Sequence, residues 1–150
     1  LGAWLNDKKL HLQDKAWDIT GILAVVSNSA VTGSVLTGSV LTDSCIIQEN
    51  RLNLVKASCK SLSDSVRFRV NGAAALDLDY AAAGMFDIVM FENLKWWDAA
   101  AGILLIQEAG GLVVTYNGAP IEQSSTSLIA GNLTICKLIL SSCALKKEYV

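Results

Sequence analysis

The sequence predicts an α/β domain, in which strands and helices alternate along the chain. Three observations lead to this prediction. Short apolar runs typical of buried strands recur at Ile19–Ser27, Phe86–Phe91 and Leu112–Tyr116. Segments with helical spacing or small helix-forming residues fill the intervals between such runs. The connections are short and carry turn residues, among them Asn71-Gly72 and Gly110-Gly111, which favours strands joined by crossover helices.

The first half of the chain contains the less regular elements. Residues 1–18 have the pattern of a hairpin, because Asn6-Asp7 is a turn signal between two short apolar stretches. Ile19–Ser27 is predicted to be a buried strand. Residues 31–45, in which TGSVL occurs twice, are predicted to be a flexible or surface segment because Gly, Ser and Thr dominate them. Residues 46–61 have helical spacing.

The second half of the chain shows the clearest alternation. Its predicted elements are a strand at Val66–Val70, a helix at Ala73–Ala83 closed by Gly84, a strand at Phe86–Phe91, a helix at Trp97–Ala109, a strand at Leu112–Tyr116, a turn at 117–120, a strand at Ser127–Ala130 and a helix at Leu133–Leu145. The helix at Trp97–Ala109 is apolar on nearly every side, which predicts that it lies inside the core.

The composition limits the partners that the chain can have. Hydrophobic residues make up 52% of the 150 residues and charged residues only 17%, which is rich for a soluble monomer. We therefore expect an apolar face that packs against another domain or a second copy, as in a homodimer. No apolar run reaches the roughly 18–20 residues that cross a bilayer, so no membrane span is expected. The net charge of −2 and the lack of a basic cluster disfavour nucleic acid as a partner.

The cysteines indicate buried thiols in a reducing compartment, which predicts a cytoplasmic protein. No two of them have C-x-x-C spacing, and the chain has a single histidine, so the ligand set of a structural zinc site is missing. The four are Cys45, Cys59, Cys136 and Cys143. The chain shows no signal peptide and does not begin with Met, which we interpret as a fragment or a processed product.

Asp98 is the first candidate for chemistry. It stands at the start of the helix predicted at Trp97–Ala109, in which the next charge is Glu108. The plainer interpretation is an N-cap, which stabilises a helix by about 1 kcal/mol. If the N-terminus of this apolar helix lies against the interior, however, a carboxylate there needs a cap geometry, a cation or a metal. Both a cap and a metal ligand are open at this position.

Four segments of the chain form a combined pattern. Trp97–Gly102 is a Trp-Asp pair followed by small residues, and Glu108–Gly111 ends in a Gly-Gly pair that enters a strand. Arg69–Leu78 reads Arg-x-x-Gly-Ala-Ala-Ala-Leu-Asp-Leu upstream of them, and Gly2–Asn6 forms the start of the hairpin. In this combination and order, the segments resemble the C-terminal half of the inositol monophosphatase family.

The resemblance implies both a fold and an activity. The fold is the C-terminal part of a layered αβαβα sandwich, with a mixed sheet and flanking helices, in a family that is often dimeric. The activity is Mg²⁺-dependent hydrolysis of a small phosphorylated substrate, such as a sugar or inositol phosphate. Metals in that family activate a water for attack and stabilise charge on the phosphoryl group. Residues 1–150 would then lack the N-terminal half of the fold as a partner.

The resemblance also implies particular site residues. Asp98 corresponds to an aspartate that binds a metal and lies near substrate hydroxyls. Gly72–Ala74 correspond to a segment that approaches the substrate with backbone groups and small side chains. The sugar-contacting Glu of the family falls, without gaps, on Phe91, whereas Glu92 replaces it only if the strand or loop slips by one residue.

Departures from the family pattern divide the function between two hypotheses. The family's Asp-Pro-(Ile/Leu)-Asp-Gly-Thr motif, which supplies most metal ligands, is absent, and Ala73 stands where Ser or Thr is common. No complete catalytic set is therefore present. The first hypothesis is the C-terminal half of a Mg²⁺-dependent phosphatase, inactive in isolation and completed by another segment. The alternative is a truncated, non-catalytic relative that acts as a binding or dimerisation module.

Overall fold

The computed structural model describes residues 2–12, 21–26 and 67–144, and the following elements lie within them. The strands are β1 Trp4–Leu5, β2 Lys8–Lys9, β3 Leu23–Val26, β4 Arg67–Arg69, β5 Ile88–Glu92, β6 Leu112–Val114 and β7 Ser127–Gly131. The helices are α1 Ala74–Ala82, α2 Trp96–Glu108 and α3 Leu133–Ala144. The segment predicted at 31–45 and the helix predicted at 46–61 lie outside the described residues.

β1 and β2 form a two-stranded antiparallel hairpin. Trp4 pairs with Lys9, and the predicted Asn6-Asp7 turn joins the strands. Asn6 has a positive φ of 53°, a conformation that Asn tolerates better than most residues. Residues 13–18 of the predicted hairpin region lie outside the described residues.

The other five strands form one mixed sheet in the order β4-β3-β5-β7-β6. β3 is parallel to both β4 and β5, whereas β7 is antiparallel to β5 and to β6. Four strands of this sheet therefore point one way, and β7 points the other way. The predicted mixed sheet with flanking helices is confirmed.

Side chains of the sheet alternate between two cores, as the period of a strand requires. Phe91 of β5 packs with Leu78 of α1 and Ile106 of α2 on one face. Met90 packs in the second cluster with Cys136 of α3 on the other face. The described residues thus form three layers, with α1 and α2 on one side of the sheet and α3 on the other. No helix among them is long and apolar enough to span a bilayer.

Cys136 bears out the prediction of a buried thiol for one cysteine. It is fully buried on the face of α3 that packs against the sheet, and desolvation raises the pKa of its thiol to about 12. A thiol with so high a pKa is almost entirely protonated at neutral pH and therefore a poor nucleophile. Cys45 and Cys59 lie outside the described residues.

α1 and α2 run in the same direction. α1 connects β4 to β5, α2 connects β5 to β6, and these three strands all point one way. Both helices therefore return antiparallel to the strands, with their N-termini at the same edge of the sheet. They pack closely, because a Cβ on Gly102 of α2 would overlap the side chain of Leu78 in α1. This glycine lets the two helix backbones approach each other.

The prediction that α2 lies inside the core is wrong. Only one face is buried, the face that carries Ile103 and Ile106. Trp97 is 79% exposed and Leu104 is 57% exposed on the rest of the helix. The hydrophobic pattern could not distinguish the two faces because both carry large apolar residues.

Candidate functional site

Most of the predicted site residues lie at the carboxyl ends of β4 and β5 or in the first turn of α2. Gly72–Ala74 lead from β4 into α1, Glu92 is the last residue of β5, and Asp98 lies in the first turn of α2. α1 and α2 are parallel, and Gly102 of α2 lies against Leu78 of α1. Asp98 precedes Gly102 by about one helical turn, and the first residue of α1 precedes Leu78 by the same distance. Asp98 is therefore level with the start of α1. We call Gly72–Ala74, Glu92 and Asp98 the carboxyl edge.

The topology of the sheet makes this edge a favourable place for a ligand. β3 is followed in the described chain by β4 on one side, whereas β5 is followed by β6 on the other side. Neighbouring parallel strands whose connections diverge leave a crevice outside their carboxyl ends, and ligands of open α/β sheets bind there. The carboxyl edge lies beside the junction of β3 and β5.

Asn71 and Gly72 form the turn that enters α1. Gly72 has a φ of 80°, and the Asn71 side-chain amide donates a hydrogen bond to Asp77 Oδ1 at 2.7 Å. A Cβ placed on Gly72 would have none of the described atoms within 4 Å. Ala73, the N-cap residue of α1, is exposed as well. The backbone of this segment is therefore open to a ligand.

Asp77 holds the turn from within the protein. The residue is 1% exposed, and its Oδ2 atom is buried with no hydrogen-bond partner within the described part of the chain. Desolvation raises the pKa of this carboxyl, and the hydrogen bond from Asn71 opposes that shift. Asp79 is exposed, so the two carboxylates face apart as their helical spacing predicts. The burial of Asp77 was not predicted. Its position four residues before Ala81, which is also buried, is the signal that could have marked it.

Asp98 is exposed and is not an N-cap. Lys95 takes the N-cap position, and the Asp98 N–H donates to Lys95 O at 3.0 Å. The cap interpretation is therefore wrong, as is the expectation that this end of α2 lies against the interior. A carboxylate in the first turn still gains about 0.3–1 kcal/mol from the helix dipole.

Phe91 and Glu92 occupy different environments at the end of β5. Phe91 pairs with Leu128 and is 2% exposed, inside the core under α1 and α2. Glu92 pairs with Ser127, is partly exposed and lines a cleft. A side chain in the core cannot reach a substrate, so of the two only Glu92 is placed to make such a contact.

The cleft beside Glu92 has a volume of about 680 Å³. Its opposite wall is the connection from β6 to β7, residues 115–126, together with Ser127 at the start of β7. A small adjoining cavity shares Glu122 and Ser125 with the cleft and reaches Trp96 at the start of α2. The sequence predicts only a turn in this connection, at 117–120. The run of hydroxyl residues at 124–127 is the signal that could have marked it.

The described residues do not form a magnesium site by themselves. Among them, no three His, Cys, Asp or Glu side chains are grouped closely enough to hold a metal ion. Mg²⁺ prefers near-ideal octahedral oxygen coordination and gives up its water reluctantly. Asp98 offers one carboxylate at the carboxyl edge, which is fewer than such a site needs.

Known proteins of one family match the chain. The model of the inositol monophosphatase family matches residues 1–146. The Nus factor SuhB of Pseudomonas aeruginosa is 38% identical over 94 residues, which are 63% of this chain and 34% of that protein. The Nus factor SuhB of Pasteurella multocida is 45% identical over 80 residues, which are 53% of this chain and 30% of that protein.

Solved structures share the fold. The extragenic suppressor protein suhB of Bartonella henselae has a TM-score of 0.71 at 27% identity, over 95% of this chain and 48% of that chain. The inositol monophosphatase of Anabaena (Nostoc) has a TM-score of 0.68 at 24% identity, over 97% of this chain and 51% of that chain. The chain thus spans about half the length of these structures and matches about a third of the curated relatives.

Proposed function

The chain belongs to the inositol monophosphatase family, and from this premise we propose that it forms the substrate side of a phosphate-monoester hydrolase. The observation that supports the proposal most is the carboxyl edge. The residues that the resemblance marks, with Glu92 in place of Phe91, lie after β4, at the end of β5 and in the first turn of α2. The edge is open to solvent, as a site for a soluble substrate requires.

Each part of the carboxyl edge has its own role in this proposal. Gly72 and Ala73 present exposed backbone groups without bulky side chains, so the substrate can approach the main chain closely. Glu92 accepts hydrogen bonds from hydroxyl groups of the alcohol. Asp98 contributes one carboxylate oxygen to a bound Mg²⁺, because hard cations prefer oxygen ligands.

The proposal assigns the remaining metal ligands to a second polypeptide segment. A single carboxylate binds Mg²⁺ weakly against its hydration shell, and the described residues offer no group of three ligands. The solved relatives are about twice as long as the part that this chain covers. We therefore expect no hydrolysis by the chain alone. The cytoplasm is the proposed compartment, because Cys136 is a buried free thiol and free thiols are typical of reducing compartments.

Reconstitution tests the proposed function. The N-terminal half of a family relative, added in trans or fused ahead of the chain, should produce Mg²⁺-dependent hydrolysis of p-nitrophenyl phosphate. Asp98→Asn should lower that turnover by about 100-fold or more, because the amide keeps the shape of the carboxylate but is a much weaker ligand.

Glu108→Gln is the matched control for Asp98→Asn. Glu108 is an exposed carboxylate at the other end of the same helix, so its loss should leave turnover unchanged. Hydrolysis by the purified chain alone that survives Asp98→Asn would overturn the assignment. So would a fused protein that folds and remains inactive with Mg²⁺.

A binding or dimerisation module is the second candidate function. One observation favours it: large apolar side chains on α1 and α2 are exposed, and we call them the apolar strip. The strip consists of Leu76, Tyr80, Trp97 and Leu104, which are 47%, 37%, 79% and 57% exposed. The relatives from Pseudomonas aeruginosa and Pasteurella multocida are named Nus factor SuhB, and this name does not describe a hydrolase. Nucleic acid was disfavoured as a partner on the grounds of charge alone, and the matches to Nus factor SuhB do not support that prediction.

Sedimentation of the chain tests the module hypothesis. The wild-type chain should form dimers or larger species because association buries the apolar strip. Replacing Trp97 and Leu104 by Ser should shift the chain toward the monomer, whereas Trp4→Ser on the hairpin should not. Trp4 is a suitable control because it is 55% exposed but belongs to a different element. A wild-type chain that sediments as a monomer would contradict this function.

A further inference from the structure

The turn that enters α1 is tied to the protein interior by one hydrogen bond. The Asn71 side chain is exposed, and its Nδ2 atom donates to Oδ1 of the buried Asp77 at 2.7 Å. Asn71 lies two residues before the N-cap residue Ala73, and Asp77 lies four residues after it. The bond therefore spans the entrance of the helix and restricts the angle at which the chain enters α1, as a hydrophobic staple does between similar positions.

The burial of Asp77 lowers the stability of the fold. Its Oδ2 atom is buried and has no hydrogen-bond partner among the described residues, and a buried polar atom without a partner destabilises a protein. The helix dipole favours a carboxyl in the first turn, but this attraction does not require the carboxyl to be buried. An apolar side chain on this face, like that of Leu78, would avoid the cost.

The same turn lacks the usual restraints at the start of a helix. The side chain of Ala73 forms no capping hydrogen bond. Gly72 has a φ of 80°, and a Cβ placed on it would have none of the described atoms within 4 Å, so packing does not hold it. Departures from the local rules of a stable helix concentrate at functional segments. The bond between Asn71 and Asp77 is the restraint that the described residues supply.

An open segment that contains glycine needs a restraint if it is to bind a ligand tightly. Glycine loses more conformational freedom on ordering than any other residue. A segment that is already fixed does not lose this freedom on binding, so more of the contact energy appears as affinity. A restraint from the interior also leaves the exposed side of Gly72–Ala74 free of bulky side chains.

We propose that Asp77 is a positioning residue, which acts through the Asn71 side chain to hold the Gly72–Ala74 backbone in the conformation that meets the substrate. The inference rests on the proposed function for the identity of Gly72–Ala74 as a substrate contact. It adds Asn71 and Asp77, to which the resemblance gave no role. Asp77 is buried and does not itself contact the substrate.

NMR relaxation of the isotope-labelled chain tests the positioning without metal and without turnover. In the wild type, the backbone amides of Gly72 and Ala73 should have order parameters of about 0.85, the value of rigid backbone. Asp77→Ala and Asn71→Ala should each lower both order parameters below about 0.6. Asp77→Asn should keep the rigid value, because its side-chain oxygen can accept the same hydrogen bond. Asn71→Ala is a surface substitution, so it keeps the test open if an Asp77 variant does not fold.

Ile139→Val is the matched control for a purely structural effect. Ile139 is buried in α3, on the other face of the sheet from α1. The substitution removes a buried methyl group, so it lowers the stability of the chain without changing the turn. The order parameters of Gly72 and Ala73 should keep their wild-type values in this variant.

Kinetics of the protein reconstituted with the N-terminal half test whether the positioning serves the substrate. Asn71→Ala should raise KM for inositol 1-phosphate by about five- to thirtyfold, the factor for ordering one backbone residue. It should leave kcat nearly unchanged, because the segment contacts the substrate in the ground state and the transition state alike. Asp77→Ala should have the same effect, and Asp77→Asn should restore the wild-type KM. Ile139→Val should leave KM unchanged.

Four results would overturn the proposal. The first three are a wild-type turn with order parameters already below about 0.6, a turn that stays rigid in both alanine variants, and an equal loss of order in Ile139→Val. The fourth is a wild-type KM in an Asn71→Ala variant whose turn has lost its order. A fused protein that is inactive with Mg²⁺ would overturn the proposed function instead, and the relaxation measurements would still decide whether Asp77 fixes the segment.

Discussion

The two edges of the mixed sheet satisfy their polar groups in different ways. At the amino end of β5 lie Asp87, Gly131 and Asn132, which we call the amino edge. All three are buried, and the Asp87 carboxylate accepts a hydrogen bond from Leu23 N–H at 2.8 Å. Asn132 Oδ1 accepts from Thr134 N–H at 3.1 Å and so caps α3. The amino edge is completed by bonds within the chain.

The carboxyl edge keeps its functional groups at the surface. Asp98 is exposed, Glu92 is partly exposed, and the backbone at Gly72 faces open space. The parallel N-termini of α1 and α2 lie at the same edge. Buried polar groups must find partners inside the protein, whereas exposed ones can also contact water or a ligand. The comparison therefore separates polar residues that maintain the fold from those available for binding.

A pair of glycines gives the largest expected contrast between the edges. Both have positive φ angles, 137° at Gly131 and 80° at Gly72. A Cβ on Gly131 would lie 2.5 Å from the carbonyl oxygen of Asp87, so Gly131→Ala adds a backbone clash to the strain. We expect it to lower the free energy of unfolding by at least about 3 kcal/mol. Gly72→Ala should cost only about 1–2 kcal/mol.

Urea unfolding of the two variants against the wild-type chain measures this contrast. The comparison between the edges fails if Gly72→Ala costs as much as Gly131→Ala. It also fails if Gly131→Ala barely changes the free energy of unfolding. The backbone of the amino edge would then move at little cost to relieve the clash with the carbonyl oxygen of Asp87.

A pair of aspartates gives the next contrast. Asp87→Ala leaves the partly buried N–H of Leu23 without its carboxylate acceptor, which should cost about 1.5–3 kcal/mol. Asp98→Ala removes an exposed carboxylate from the first turn of α2 and should cost less than about 1 kcal/mol. The same unfolding measurement applies. Equal losses at the two positions would show that Asp98 maintains the fold rather than a site.

Ala73 provides a smaller effect at the carboxyl edge. It is the N-cap of α1 and its side chain accepts no capping hydrogen bond. The family commonly has Ser or Thr here, which are preferred N-cap residues. Ala73→Ser should therefore raise the free energy of unfolding by about 1 kcal/mol. Ala75→Ser, two residues later and inside the same helix, should not stabilise the chain and serves as the control.

The regular elements could be predicted from the sequence because their signals are local. The helix predicted at Ala73–Ala83 is α1, and the strand predicted at Ser127–Ala130 is β7 with one further residue. Turn residues such as Asn6-Asp7 fixed where the chain reverses. The exposure of Trp97 could not be predicted, because it depends on which side of α2 the sheet covers.

The site could be predicted in part. The resemblance gave the residues of the carboxyl edge, and the topology puts them at the same end of the sheet. The resemblance could not decide between Phe91 and Glu92, because the register of β5 is fixed by its pairing with β7 and not by spacing along the sequence. Because Phe91 is buried, Phe91→Glu would place a charge in the core rather than in a site. The cleft wall at 115–127 depends on contacts between distant segments, which no local pattern reports.

The last contrast concerns pH, at a buried group in the first turn of α1, next to the carboxyl edge. Desolvation raises the pKa of the Asp77 carboxyl above its ordinary value of 3.8, although the hydrogen bond from Asn71 opposes the shift. The folded chain therefore binds a proton here at pH values where the unfolded chain has released it. The contribution of Asp77 to stability is fully present below pH 3.8 and is lost as the pH rises through the raised pKa.

Asp77→Asn tests this prediction, because an amide does not titrate in this range. The free energy of unfolding of the wild type minus that of the variant should decrease from pH 4 upward and level off above the raised pKa. The variant also buries an amide group where Oδ2 has no partner among the described residues, but that cost is independent of pH. Asn71→Ala should extend the decrease to higher pH by removing the opposing hydrogen bond, whereas Asp79→Asn on the exposed side of α1 should not alter it. A difference that rises with pH would mean that the folded protein favours the ionised Asp77, and the carboxyl edge would then be completed internally like the amino edge.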